Sequence, residues 1–199
     1  MSALPVLATQ WLARPIAYDG SQLRSHWILA EAGLVGDALV GFRGPCNVLL
    51  DEMADLADLD GPGIRADDMV HFVWESFREP DLLLAVHRQR LLSAQAGELL
   101  QVMAAPGTRV VRSGDDLFVG DGKLSISIAT VSPVSSLVHF ALNATQGGAP
   151  VRTAALVELG VDPDAYGRRL LDVVAAEQAS IQDARAKVRP KGALSLIHI

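Results

Sequence analysis

The chain has a single cysteine, Cys46, among 199 residues. No internal disulfide can form, and a reducing, cytoplasmic compartment is the expectation. No Lys/Arg cluster precedes residue 185 and the net charge is -6, so no nucleic-acid partner is expected. The longest apolar runs, such as Leu82 to Val86, are too short to cross a membrane. Met1 to Gln10 has no basic stretch ahead of its apolar residues, which makes it a poor signal peptide. Five histidines are scattered, none paired with another at metal-ligand spacing, so no metal site is expected. The phosphate-cradling pattern G-x-x-x-x-G-K-[ST], the dinucleotide pattern G-x-G-x-x-G and the nucleophile elbow G-x-S-x-G are all missing. What is present is enough apolar matter for one sizeable core. Half the residues are hydrophobic, charged residues are 20%, and the mean hydropathy is +0.26.

Periodicity orders the chain into alternating elements. Leu23 to Ala32 reads as a short helix or strand, and Ala38 to Phe42 as a short apolar strand. Arg43-Gly44-Pro45-Cys46-Asn47 is expected to interrupt that strand, because proline and glycine break pairing, with extended structure resuming over Val48 to Leu50. A helical turn over Asp51 to Ala57 and a loop at Asp60-Gly61-Pro62-Gly63 follow. Met69 to Phe77 is the clearest central strand, rich in β-branched and aromatic residues. Its alternation puts His71, Val73 and Glu75 on one face and Val70, Phe72 and Trp74 on the other. Asp81 to Met103 is predicted helical, with an apolar stripe through Leu83, Val86, Leu91, Leu92, Ala94, Leu99 and Val102. Thr108 to Val111, Leu117 to Val119 and Lys123 to Thr130 read as successive strands, the last two joined by a turn at Asp121-Gly122. Val138 to Ala144 is a further strand, and Pro150 to Leu159 a short helix or strand. Asp162-Pro163 opens a helix expected to run to about Val188. Gly192 to Ile199 fits no element and is expected to be a disordered or non-native tail. Its ending L-S-L-I-H-I looks like translated adapter read-through, so the true C-terminus is expected to be missing.

Five constellations could carry chemistry. Along Lys123 to Ala129, alternation sends Leu124, Ile126 and Ile128 to one face and Lys123, Ser125, Ser127 and Ala129 to the other. A lone cation at the mouth of a row of hydroxyls suits a carboxylate or phosphate; a half-buried edge strand with a solvated lysine is the plainer alternative. Asp115 and Asp116 lead into this stretch. Arg43-Gly44-Pro45-Cys46-Asn47 offers a guanidinium fork and a glycine that lets a ligand approach the backbone. Cys46 beside Arg43 could have a lowered pKa and act as a nucleophile, or be a buried inert thiol in a tight turn. His71 and Glu75 share one strand face, and His139 and Asn143 share another. The polar turn Tyr18-Asp19-Gly20-Ser21-Gln22 is the fifth. Together they share a direction: an anion-binding site built from several strands of one sheet.

Several segments, Y-D-G-S-Q-L, F-R-G-P-C-N-V, M-V-H-F-V-W-E and G-K-L-S-I-S-I-A-T-V-S-P-V-S-S-L-V-H-F-A-L-N, match in order those of the family of domain of unknown function 366. The resemblance spans roughly Ile16 to Leu170. That family resembles in turn the catalytic domain of biotin- and lipoate-protein ligases, which share the class II aminoacyl-tRNA synthetase fold. The ligases carry R-x-N-D-L-x-V-x-G-x-K-[IL]-x-G. Arg112, Asp115, Asp116, Leu117, Gly122, Lys123 and Leu124 fall on it in order, so the resemblance implies that Lys123 contacts an acyl-adenylate carbonyl or phosphate. Val138 to Asn143 is a looser match to the lipoate enzymes' H-x-x-L-L-x-N. The chain departs from the ligases where their arginine precedes a run of glycines; here that place holds Arg43-Gly44-Pro45-Cys46-Asn47, with one glycine, and Pro45 lacks a backbone donor. Asp115 replaces an asparagine, and Ser127 stands near a ligase glycine. A related acyltransferase group uses a cysteine with the lysine; Cys46 is the sole candidate here and lies off that group's motif.

The resemblance and the pattern together imply one α/β (α+β) domain over residues 1–191. It is a biotin/lipoate ligase-like, mainly antiparallel mixed sheet with helices packed on one face and a pocket on the open face. Lys123 is the expected anion anchor. Cys46 is a second catalytic candidate. Expected ligand contacts are Arg43, Gly44, Asn47, His71, Asp116, Gly122, Ser125, Ser127, His139, Asn143, Tyr18 and Gln22. Three functions compete: a ligase or acyltransferase acting on a small carboxylic acid or acyl-adenylate (with ATP and Mg²⁺, and an acceptor protein, if a ligase), a non-catalytic small-molecule binding module, and an RNA-related activity, which the net charge disfavours.

Overall fold

A computed structural model describes residues 6–78 and 80–189. Its main sheet has five strands in the order β1-β2-β3-β8-β7. These are β1 (Ala8–Leu12), β2 (Ala38–Asn47), β3 (Arg65–Ser76), β7 (Ser125–Val131) and β8 (Ser136–Asn143). Only β1 and β2 run parallel; the other pairs are antiparallel. A small sheet, β4 (Val110–Ser113), β5 (Asp116–Val119) and β6 (Gly122–Lys123), leads into β7. The helices are α1 (Trp27–Ala32), α2 (Leu82–Met103) and α3 (Pro163–Lys187). The mixed, mainly antiparallel sheet flanked by helices is the architecture expected.

The alternation along β3 decides the layers. Val70, Phe72 and Trp74, with Phe140 and Leu142 of β8, face α2 and α3 and pack on Leu92, Ala96, Leu100, Tyr166 and Leu170. Met69 and Val73 point the other way, into a second core with Phe42, Tyr18, Trp27 and Ile28. Asp162 caps α3 by accepting from Ala165 N, with proline at the first turn, as its sequence requires.

Several elements differ from the sequence reading. β1 was not expected. The Arg43 to Asn47 segment does not break β2; the strand runs through it with a register shift between Gly44 and Cys46. A bulge accommodates Pro45, whose missing N–H would otherwise leave a gap in the ladder. The turn after β5 is Gly120-Asp121, since Gly122 already pairs with Val119. Pro150 to Leu159 forms only a bridge, Lys123 with Thr153, and a 3-10 turn. The stripe on α2 is rotated: Leu83 and Val102 are 66% and 83% exposed, whereas Gln89 and Ser93 are buried. The reason is polar. Gln89 Nε2 donates to Asp115 and Ser127, and Ser93 Oγ donates to the Asp115 carbonyl, which pins α2 to the turn between β4 and β5 and to β7. The tail expected from Gly192 onward lies outside the described residues.

Gly44 shows how tightly the layers meet. A Cβ on it would collide with the carbonyl of Ile16, whose N–H is bonded to Arg43 O at 3.0 Å. Both contacts are backbone and neither can swing aside. Gly44→Ala is therefore expected to cost about 3 kcal/mol of stability, read as a lowered midpoint in denaturant unfolding.

Candidate functional site

The cleft opens on the face of the sheet away from α2 and α3. Its outer lobe is about 230 Å³ and is lined by Met69, Ile64, Ile126, Val151, Asn143 and Lys123, among others. An inner lobe of about 40 Å³ is lined by Tyr18, His139, Val48, Met53, Ile126 and Ile128. Asp58, Ile64 and Ile126 line both lobes, so the two adjoin across a neck of two isoleucines and one carboxylate. The segment between β2 and β3, with 3-10 turns at Leu50–Glu52 and Leu56–Asp58, forms the outer wall.

Lys123 enters this cleft because the expected alternation fails at Leu124. Leu124 packs in the helix-side core, while Ile126 packs on the open-face core. Leu124 falls between β6 and β7 and breaks the two-residue period, so Lys123 and Ser127 do not form one row. Lys123 Nζ pairs with Asp116 Oδ2 at 2.9 Å, and its side chain is 35% exposed. Its backbone is held on both sides, Lys123 N to Arg152 O at 3.0 Å and Ala154 N to Lys123 O at 3.1 Å. Asn143 Nδ2 also donates to Lys123 O and to Ala154 O, each at 3.1 Å. Gly122 makes room for this crossing, since a Cβ there would lie 2.8 Å from the backbone of Thr153 and Ala154. Burial raises the Asp58 carboxyl above its ordinary value, Asp55 adds to the shift, and the cation of Lys123 opposes it.

The expected hydroxyl row is taken up by structure. Ser125 Oγ accepts from Leu117 N at 2.8 Å, and Ser127 Oγ donates to Asp115 Oδ2 at 2.7 Å while accepting from Gln89. Arg43 does not meet Lys123. It lies opposite Val70, on the helix side of the sheet. There its Nε and Nη2 hold Asp68 at 2.6–3.0 Å, and its Nη1 is 3.6 Å from Asp164 at the start of α3. Cys46 is buried in the open-face core, and desolvation pushes its thiol up to about 12, the opposite of an activated nucleophile. Asn47 is exposed and bonds through its backbone N–H to Tyr18 O. Gln22 is spent inside its own loop, donating to Ala17 O and accepting from Asp19 N.

Beneath the inner lobe lies a stack of rings. Tyr18 sits on His139 with centroids 3.7 Å apart and planes 7° from parallel. Phe42 stacks on His71 at 5.0 Å. Hydrogen bonds fix both histidines. The carbonyl of Gly44 can only accept, so the 3.1 Å contact makes His71 Nε2 a donor. His71 Nδ1 is then an acceptor for His139 Nε2–H at 3.1 Å. In neutral rings this leaves His139 Nδ1 unprotonated. Burial drives both rings toward that neutral state, lowering His71 to about 4 and His139 well below its ordinary value. The sequence reading missed the apolar lining residues Ile64 and Met69 and the carboxylate of Asp58. The Gly61-Pro62-Gly63 loop was their only visible signal.

Two outcomes follow from these environments. Folded protein is expected to leave Cys46 unmodified by iodoacetamide at pH 8 and to react fully in denaturant, as read by intact mass. The histidines set an acid limit on stability. Between about pH 6.5 and about pH 4 the unfolded chain binds protons that folded His71 refuses. Stability therefore falls as pH drops through that window, by about 1.4 kcal/mol per pH unit for each imidazole. His71→Phe is expected to flatten the slope of unfolding free energy against pH, even if it lowers stability at pH 7.

The profile of domain of unknown function DUF366 matches residues 7–189. An uncharacterised protein of Methanocaldococcus jannaschii is 32% identical over 180 residues, covering 87% of this chain and 80% of its own. A protein of unknown function from Pyrococcus horikoshi superposes with a TM-score of 0.85 at 44% identity, over 92% of this chain and 99% of that one. Biotin protein ligase from Aquifex aeolicus, solved with biotin and ATP, gives a TM-score of 0.56 at 15% identity, over 88% and 72%. A bi-partite lipoate protein ligase from Thermoplasma acidophilum gives 0.54 at 13%, over 87% and 83%. At such identities the likeness to the ligases is one of fold. With the profile spanning nearly the whole chain and a relative 32% identical along most of it, the chain belongs to the DUF366 family.

Proposed function

We propose that the cleft binds a small carboxylic acid or its acyl-adenylate, with Lys123 as the anion anchor. The observation that carries this reading is a cation at the edge of a cavity whose other walls are mainly apolar. A carboxylate at Lys123 would compete with Asp116 for the ammonium, while the ligand's carbon chain lies along Ile64, Met69 and Ile126. Gly122 and Asn143 serve the site by fixing the Lys123 backbone, and Asp116 by orienting its ammonium.

In the ligase version the acid's carboxylate oxygen attacks the α-phosphorus of ATP, and pyrophosphate leaves. Mg²⁺ bound to the nucleotide would neutralise phosphate charge. On the protein side, Lys123 and the rim residue Arg65 are the cations lining the outer lobe. A nucleophile of an acceptor protein would then take the acyl group from the adenylate, and AMP would leave. A non-catalytic binding module is the second reading. It is favoured by Arg43, which is committed to Asp68 and Asp164 rather than to the cleft, and by the single glycine where the ligases have a run. Neither reading uses Cys46 as a nucleophile.

Calorimetric titration with a panel of carboxylic acids, with and without ATP and Mg²⁺, tests the anchor. Lys123→Ala is expected to weaken any acid that binds by about ten-fold or more. Unchanged affinity in that variant would sink the assignment. Pyrophosphate release across the same panel separates a ligase from a binding module.

A further inference from the structure

The inner lobe carries two polar atoms that the fold leaves unused. Tyr18 Oη and His139 Nδ1 have no hydrogen-bond partner among the described residues, yet neither is among the sealed, unpartnered atoms of the interior. Both residues line the inner lobe. Of the other polar side chains bordering the two lobes, Ser125, Ser127 and Asn143 are committed to the protein framework, Lys123 to Asp116 and Asp55 to the N–H of Ala57. The bond from His71 to Gly44 O dictates that His139 Nδ1 is a lone-pair acceptor, and Tyr18 Oη–H remains a donor. A purely hydrocarbon tail reaching this lobe would leave both atoms dry and unpaired, at the full cost of desolvating them.

We infer that the inner lobe selects ligands whose far end is a neutral group with an N–H or O–H, a hydroxyl or an amide, that donates to His139 Nδ1. Tyr18 Oη–H supplies the complementary donor to the same group. His139 and Tyr18 are thus specificity-determining residues, and His71 is a positioning residue that holds the His139 tautomer. This deepens the carboxylic-acid reading and rests on it for the near end of the ligand. A ruler comes from β8. Asn143, beside Lys123, and His139 are four residues apart on one strand face, about 13 Å at the usual strand rise. The ligand is therefore elongated, its middle passing the neck between Ile64 and Ile126. The small inner volume of about 40 Å³ admits a terminal group rather than a bulky ring system.

The experiment compares straight-chain alkanoates of six to ten carbons with their ω-hydroxy counterparts at pH 7, by calorimetry and by the ring resonances of His139. At the best-fitting length the ω-hydroxy acid is expected to bind about ten-fold tighter than the plain acid. It should also shift the His139 resonance, and His139→Phe should erase the preference. Lys123→Ala should weaken both acids alike and leave the preference intact. Equal or reversed affinity in the wild type overturns the inference, as does a preference that survives in His139→Phe. Because His139 is buried, Tyr18→Phe is the second variant; it removes one hydroxyl and is expected to reduce the preference without unfolding the chain. Hexan-1-ol separates the two readings. If no acid binds but the alcohol shifts His139, the carboxylate anchor fails and the inner-lobe assignment stands. If neither the ω-hydroxy acids nor the alcohol moves that resonance, the inner-lobe assignment fails.

Discussion

Burial of both faces of β3 and β8 is the constraint on which the rest depends. Every residue of β8 is buried, and so is β3 from Met69 to Ser76. Two covers are then required. One is the pair α2 and α3, which closes over Val70, Phe72, Phe140 and Leu142. The other is built from α1, the Tyr18 loop and the segment following β2, and closes only partly, so a cleft remains. Sheet strands buried on both sides cost dearly for every polar side chain they carry, and β3 and β8 carry His71, Glu75, His139 and Asn143.

Each of these four is matched to a partner that suits it. Glu75 receives the N–H of His26 and the hydroxyl of Ser135. Asn143 ties two backbone carbonyls together behind Lys123. His71 spends both nitrogens, one on Gly44 and one on His139. His139 spends one. The cleft is thus the place where the second cover stops short, and there one nitrogen of His139 is left without a partner among the described residues. The two neighbouring rings differ in that one respect.

The likeness to biotin and lipoate ligases is one of fold. Arg43 is held by Asp68 and Asp164 across the sheet from the cleft, and β2 continues through a bulge at Pro45.

Much of the framework was legible in the chain. Alternation along Met69 to Phe77 correctly divided β3 between two faces, and Asp162-Pro163 located the start of α3 because capping is a local property. Local rules misplaced three things: the continuation of β2 past Pro45, the rotation of α2 toward Gln89 and Ser93, and the face of Lys123 relative to Ser127. All three depend on partners distant in sequence. A bulge needs the neighbouring strand, Gln89 needs Asp115, and the break at Leu124 needs the crossing backbone of Thr153 and Ala154. By itself the sequence determined the two faces of β3, the start of α3 and the residues able to do chemistry, because periodicity, capping and residue type are local properties of the chain. Only the tertiary structure decided which of those residues share a cavity and which are already engaged. Hydrogen-bond partnership and burial are properties of pairs, and the chain brings the members of a pair together only by folding.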